Sequence, residues 1–323
     1  MTAPTTAHFL TDIEIKEFKC FKDFKASGFK RVNLIGGKNN IGKTALLEAI
    51  YIHVSSKTVN AMITAIYNVK FDRESLNTLY HYYPILDHKK ILDFTKSYAS
   101  KSNLINTEYF VIENDATKTY QINIGDKLIS IDSNVLSITF EHIPNVKLID
   151  NFGWADGGII SAYTAIQRHE QENELNAFVQ EFDSSIDAFK VMANKPQCKT
   201  NGEYRDITEF GDGLKHYISI ICALYACENG YLFIDEIDNG IYYDHLDRLW
   251  EIIFTLSKKT NCQIFATTHS KEMLESFARV AKKSDEQDIS YTLLVKDKQQ
   301  EIKTISFDYE MLDYSIAQEH EVR

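Results

Sequence analysis

The sequence predicts an α/β fold with a mainly parallel core sheet, an N-terminal antiparallel β portion and a mixed α/β insertion. Three observations carry this expectation. The stretch Gly37-Lys38-Asn39-Asn40-Ile41-Gly42-Lys43-Thr44 fits G-x-x-x-x-G-K-[ST] and sits between a short apolar run and a helix start. Two later runs, Gly230–Ile234 and Gln263–Ala266, are apolar almost throughout, as strands buried on both faces are. Near the N-terminus, Ile13-Glu14-Ile15-Lys16-Glu17-Phe18 alternates as a half-buried strand does.

In chain order, Phe9–Phe24 holds that first strand, and a turn at Ser27-Gly28 leads to Val32-Asn33-Leu34-Ile35, a short buried strand. The glycine loop follows, and Ala45–Ile50 reads as the first turns of a helix. Glycines let backbone N–H groups turn inward around phosphate oxygens, and a helix N-terminus adds partial positive charge. Lys43 can reach the β- and γ-phosphates, and the Thr44 hydroxyl can ligate Mg²⁺. Residues 57–105 are rich in Lys, Tyr and Asn, with a helical stretch at Arg73–Tyr83. Tyr109–Ile112 and Tyr120–Ile124 suggest a hairpin joined through Asn114-Asp115, and Leu128–Phe140 suggests more strand. From Ala162 to Val191 the spacing of Leu175, Phe178, Val179, Phe182, Ile186 and Phe189 is helical. Helices are expected again at Leu214–Cys227 and Asp244–Ser257, alternating with the two buried strands. The expected division is residues 1–55 as a lobe bearing the phosphate loop, 56–200 as an insertion that meets partners, and 201–323 as a second lobe.

Composition sets outer bounds. Among 323 residues, 35 Lys and Arg stand against 46 Asp and Glu, a net charge of −11. That argues against a surface coated for phosphate binding, while leaving room for a local basic patch at Lys89, Lys90, Lys96 and Lys101; a solvated face is the plainer meaning of that cluster. The five cysteines are scattered without C-x-x-C or zinc spacing, as in reduced cytosolic proteins. The longest apolar run, Tyr217–Cys227, is about half the ~20 residues of a membrane span. Met1-Thr2-Ala3-Pro4 opens no signal peptide, so a cytoplasmic protein with no membrane partner is expected.

Three motifs in the last third carry further chemistry. Leu232-Phe233-Ile234-Asp235-Glu236 delivers two carboxylates at the C-terminal end of a strand, the edge where doubly wound sheets bind ligands. Asp235 would hold Mg²⁺, directly or through water, and Glu236 would orient and polarise an attacking water. Ile264-Phe265-Ala266-Thr267-Thr268-His269-Ser270 ends a second strand in polar residues, and His269 could contact the γ-phosphate and that water. Phe210-Gly211-Asp212-Gly213 opens a helix: either a second anion cradle, useful only if two chains share nucleotides, or a plain cap in which Asp212 bonds free N–H groups.

This order of motifs, with the N-terminal Ile15-Lys16-Glu17-Phe18-Lys19-Cys20-Phe21, resembles the ABC-type ATPases of the SMC, RecF and OLD branch. Leu232–Tyr243 and Gln263–Glu272 look most like the compact AAA-type ATPases found beside nucleases or toxins in bacterial anti-phage systems. The resemblance implies an ABC-ATPase head that uses ATP and Mg²⁺. Gly37, Asn39, Asn40, Ile41, Gly42, Lys43, Thr44 and Ala45 would bind the nucleotide, Thr44 and Asp235 the metal. Glu236, His269 and Lys43 would carry a slow hydrolysis to ADP and phosphate. Gly211, Asp212 and Gly213 would cover the nucleotide of a second copy, in a head-to-tail, ATP-dependent homodimer or a higher homo-oligomer. The chain departs from the family's Leu-Ser-Gly-Gly signature at Phe210–Gly213, where the serine is missing. No glutamine loop is identifiable; Gln167 and Gln171 are candidates only by position, and solvated helix polars are the favoured reading. No Toprim nuclease domain is expected. The implied function is a nucleotide-switched sensor or regulator of a separate effector protein, a nuclease or toxin. A DNA-binding repair clamp of the RecF/SMC kind is the alternative.

Overall fold

The computed structural model of the protein describes residues 8–75, 97–114, 117–132, 139–151 and 153–317. The chain opens with a hairpin, β1 (Asp12–Phe18) and β2 (Phe21–Ser27), and enters the central sheet through β3 (Val32–Gly37). Helices α1 (Lys43–Ser55) and α2 (Val59–Ser75) follow. Strands β4 (Ser97–Ser102), β5 (Asn106–Asn114), β6 (Thr117–Ile124) and β7 (Lys127–Asp132) extend the opening hairpin into an antiparallel sheet of order β2-β1-β4-β5-β6-β7. β8 (Val146–Ile149) returns to the central sheet, and α3 (Asp156–Arg168) and α4 (Glu172–Phe182) come next. β9 (Ala188–Met192), β10 (Lys195–Thr200) and β11 (Glu203–Asp206) form a small antiparallel sheet. Then come α5 (Asp212–Ala226), β12 (Tyr231–Ile234), α6 (Leu246–Thr260), β13 (Gln263–Thr267), α7 (Lys271–Lys283), β14 (Ile289–Lys296), β15 (Ile302–Phe307) and α8 (Tyr309–Ala317).

The central sheet runs β15-β14-β3-β13-β12-β8, parallel except for β15. Its apolar strands are sorted by the two-residue pleat. Leu232, Ile234, Ile264 and Ala266 face one core, with α3 to α7. Tyr231, Phe233 and Phe265 face the other, with α1 and the antiparallel sheet. Phe233 and Phe265 stack across that second core, 5.5 Å between centroids and 9° from parallel. Each fully buried aromatic contributes roughly 1.5–3 kcal/mol of apolar transfer, enough to fix which way the strands face. Asn33 is buried within β3. Its amide donates to the carbonyls of Lys30 and Ile264, and its oxygen accepts from Ser290, locking β3 to both neighbours.

The expected central strands and both late helices are present within a few residues of their expected ends. Two expectations are corrected. The helical pattern from Ala162 to Val191 breaks at Asp183-Ser184-Ser185, where Asp183 bonds Ser185 through backbone and side chain instead of continuing a helix. Phe189 and Val191 therefore belong to β9, with Phe189 buried opposite Cys198 of β10. Leu128–Phe140 is strand only to Asp132; residues 133–138 lie outside the described residues, and 139–140 are irregular. The Arg73–Tyr83 helix is described only to Ser75, and the Asn114-Asp115 connection lies partly outside the described residues. Residues 56–200 are woven into both large sheets, β4–β7 into the antiparallel one and β8 into the central one. Among the described residues, no helix is long and apolar enough to cross a membrane.

Candidate nucleotide site

β3, β13 and β12 end side by side, and their C-terminal ends present the candidate site. The glycine loop leaves β3 through Gly37, whose φ of 137° is outside the ordinary range of L-residues, and enters α1 at Gly42, φ 111°. Space as well as conformation selects Gly42: a β-carbon there would meet the Cys20 sulfur at 2.8 Å. Asn40 is left-handed at φ 59°, Ile41 is buried, and Asn39 points to solvent. Ala45 is buried in the second core, so that α1 is anchored directly behind the loop.

The Lys43 ammonium lies within the loop and donates to the carbonyls of Gly37 at 2.9 Å and Lys38 at 3.2 Å. Burial pushes its pKa below the ordinary lysine value, opposed by the carboxylates of Glu236, Asp235 and Asp238. A desolvated cation in a curl of glycine backbone suits a polyphosphate. Thr44 places its hydroxyl 3.1 and 3.0 Å from the two Asp235 oxygens. One hydroxyl and one carboxylate at this spacing form the hard oxygen donor set that Mg²⁺ prefers, so the residues fit the expected metal.

Asp235 and Glu236 leave β12 at its C-terminal end, as expected. The Asp235 N–H donates to the Ile149 carbonyl of β8 at 2.9 Å. Glu236 adopts a left-handed conformation, φ 50°, that an L-residue takes only when held. Its carbonyl accepts from the Asn239 N–H at 2.8 Å. His269 lies across from it, Nδ1 3.8 Å from the Glu236 carboxylate, and both side chains are partly exposed. Ser270 caps α7, accepting from the Met273 N–H at 3.0 Å, so the imidazole has no capping task.

Gly211, Asp212 and Gly213 open α5 elsewhere. Gly213 packs on Gly240, in the loop after Glu236, so tightly that a β-carbon would come within 1.9 Å of the Gly240 carbonyl oxygen. The cap is Gly211, with no side-chain bond, and Asp212 is the exposed first helical residue. The alternative in which Asp212 caps the helix is thereby corrected. Gln171 bonds the His169 carbonyl and accepts from Lys259 in the last turn of α6, so it lies by the N-terminal end of β13, opposite the site. Gln167, in the exposed last turn of α3, lies four residues away. Beside Asp235, β8 runs on into Asp150-Asn151, and the Asn151 carbonyl accepts from the Asn239 amide.

Sequence reasoning left Thr267 and Thr268 without a role. Thr267 donates to Asp235 Oδ1 at 2.6 Å and accepts from the Glu236 N–H at 2.8 Å. Thr268 donates to Asp238 at 2.6 Å. Two hydroxyls at the end of a buried strand were the available signal.

Residues 32–275 match the family model described as "AAA domain, putative AbiEii toxin, Type IV TA system". The chain is 25% identical, over 364 aligned positions, to a curated Helicobacter pylori protein named ATP/GTP phosphatase, spanning 96% of this chain and 98% of that protein. Among solved structures, an Smc head bound to the C-terminal winged-helix domain of ScpA aligns with TM-score 0.54 at 12% identity, over 94% of this chain and 99% of that one. The Pyrococcus furiosus Smc head with an extended coiled coil, bound to the C-terminal domain of ScpA, aligns with TM-score 0.50 at 12% identity, over 96% and 99%. At such identities the likeness is one of fold, and the fold is that of an SMC-type P-loop ATPase head.

Proposed function

The chain belongs to the AAA domain family described for putative AbiEii toxins of type IV toxin–antitoxin systems, and from that premise we propose that it is a nucleotide-switched ATPase regulating a separate effector protein, a nuclease or toxin, in anti-phage defence. The chain is an ATPase of the AAA/SMC-like type, in keeping with the relative named ATP/GTP phosphatase. The observation that carries the proposal is the hydrogen-bonded run Thr44–Asp235–Thr267–Glu236, which ties the phosphate loop to the backbone N–H of Glu236, the residue we assign as base.

Loop N–H groups from Gly37 to Ala45 and the Lys43 ammonium bind and orient the triphosphate of ATP. Thr44 and Asp235 would hold Mg²⁺, which supplies charge neutralisation at the β- and γ-phosphates. Glu236 takes up the proton of the attacking water, and His269, 3.8 Å from that carboxylate, donates to oxygen at the γ-phosphate. Gly211–Gly213 stand at an exposed helix start and cover the nucleotide of a second copy in a head-to-tail pair. The ATP-bound pair is the signalling state and slow hydrolysis ends it, a population shift driven by the γ-phosphate. The setting is the cytoplasm, and the part of residues 56–200 that stands off the central sheet reads the state out to the effector.

The test is Glu236→Gln in the full chain. The variant is expected to bind ATP, to lose hydrolysis by at least about 100-fold, and to sediment as a larger species with ATP but not with ADP. Wild-type turnover would remove Glu236 from the mechanism. A size indifferent to nucleotide would remove the switch.

A further inference from the structure

Thr267 has a use beyond ending a strand. Its side chain is fully buried. A threonine hydroxyl has one proton to give and two lone pairs, while a carboxylate only accepts and a backbone N–H only donates. The direction of both bonds is therefore fixed. The proton goes to Asp235 Oδ1, 2.6 Å away, and a lone pair receives the Glu236 N–H at 2.8 Å. The same residue's carbonyl receives the Ile237 N–H at 3.0 Å. One residue of β13 thus grips three consecutive residues at the end of β12.

The place matters. The regular β12–β13 ladder runs to Ile234 opposite Ala266, the last pair in register. Immediately beyond it Glu236 turns left-handed at φ 50°. At that step the Thr267 hydroxyl takes the Glu236 N–H. Thr44 reaches the same Asp235 carboxylate from the phosphate loop. The hydroxyl therefore sets the angle between the carboxylate assigned to the metal and the backbone that carries the base.

We propose that Thr267 is a positioning residue for hydrolysis, fixing the Glu236 backbone relative to Asp235 without touching ATP. The proposal rests on the assignment of Glu236 as base. Valine matches threonine in shape but leaves the Glu236 N–H and one Asp235 oxygen without this partner, whereas serine restores it.

The experiment is steady-state ATP hydrolysis by the full chain, with circular dichroism as a check of folding. Thr267→Val is expected to lower kcat about 10- to 100-fold, the penalty of a catalytic group displaced by up to ~1 Å, while KM for ATP stays within about twofold. Thr267→Ser is expected to recover to within about threefold of wild type, and Thr267→Ala to behave as Thr267→Val does. In a Glu236→Gln background, Thr267→Val is expected to change the residual rate by less than about twofold, because the group it positions is gone. A Thr267→Val protein with wild-type kcat overturns the proposal and leaves the ATPase reading standing. So does an equal fall in both backgrounds, or a serine variant as impaired as the valine one. Wild-type turnover by Glu236→Gln alone removes the base, and the proposal falls with it.

Discussion

Gly213 links helix packing to the reactive edge, and alanine there is the sharpest single perturbation. The added β-carbon would stand 1.9 Å from the Gly240 carbonyl oxygen and 2.9 Å from its carbon. Non-bonded carbon and oxygen need more than about 3 Å, so the start of α5 and the loop after Glu236 must part by roughly 1 Å. Both neighbours are backbone, and no side chain can swing aside. Overpacking of this kind costs about 1–3 kcal/mol, and backbone against backbone belongs at the upper end. For a chain of 323 residues that is a fall in Tm of about 2–5 °C. The displacement reaches the site because the Asn239 N–H holds the Glu236 carbonyl at 2.8 Å. Differential scanning fluorimetry and steady-state hydrolysis read the two effects, and kcat is expected to fall about tenfold or more. Gly211→Ala is the control for conformation. Nothing lies within 4 Å of its β-carbon, and its penalty of about 1–3 kcal/mol comes from φ 89° and ψ 163° alone. A Gly213→Ala protein with both wild-type Tm and wild-type rate would refute the reasoning.

Lys43→Ala is expected to remain folded by circular dichroism and to lose ATP affinity about 10- to 100-fold by calorimetry, since one buried charge-assisted contact to phosphate is removed; unchanged affinity would show that the loop is not the site. Burial holds His53 and His216 at a pKa of about 4, below the ordinary 6.5. Both stay neutral in the folded protein while unfolding lets them protonate, so their stabilisation is complete above pH 6.5 and is lost on the way down to 4. The loss is roughly 2 kcal/mol for each by pH 5, seen as a fall in Tm between pH 7 and 5 that His53→Gln reduces. Nucleic-acid affinity of the isolated chain is expected to be micromolar at best near physiological salt, given a net charge of −11. Lys101 is exposed on β4, while Lys89, Lys90 and Lys96 lie outside the described residues; tight, salt-resistant binding in a filter or anisotropy assay would instead favour the repair-clamp reading.

Legibility in the sequence follows the range over which the physics acts. The loop Gly37–Thr44 could be read because its conformation is set by its own glycines, and the strand before it and the helix after it are adjacent in the chain. β12 and β13 could be read because burial on both faces leaves an uninterrupted apolar run. Phe189 misled because one aromatic at helical spacing looks alike in a helix and in a short strand, and the Asp183–Ser185 turn that separates the two carries only a local signal. The contact of Gly213 with Gly240 left no pattern, since a glycine chosen for close approach looks like one chosen for a cap. The two threonines are the most instructive case. Thr267 and Thr268 are neighbours of the same type, yet one reaches Asp235 and the other Asp238. The choice is made by the pleat, which sends successive side chains to opposite faces, and by the register of β13 against β12. A slip of one residue would hand the Asp235 bond to Thr268 and leave Glu236 without its anchor, so a role that looks like residue chemistry is decided by strand pairing.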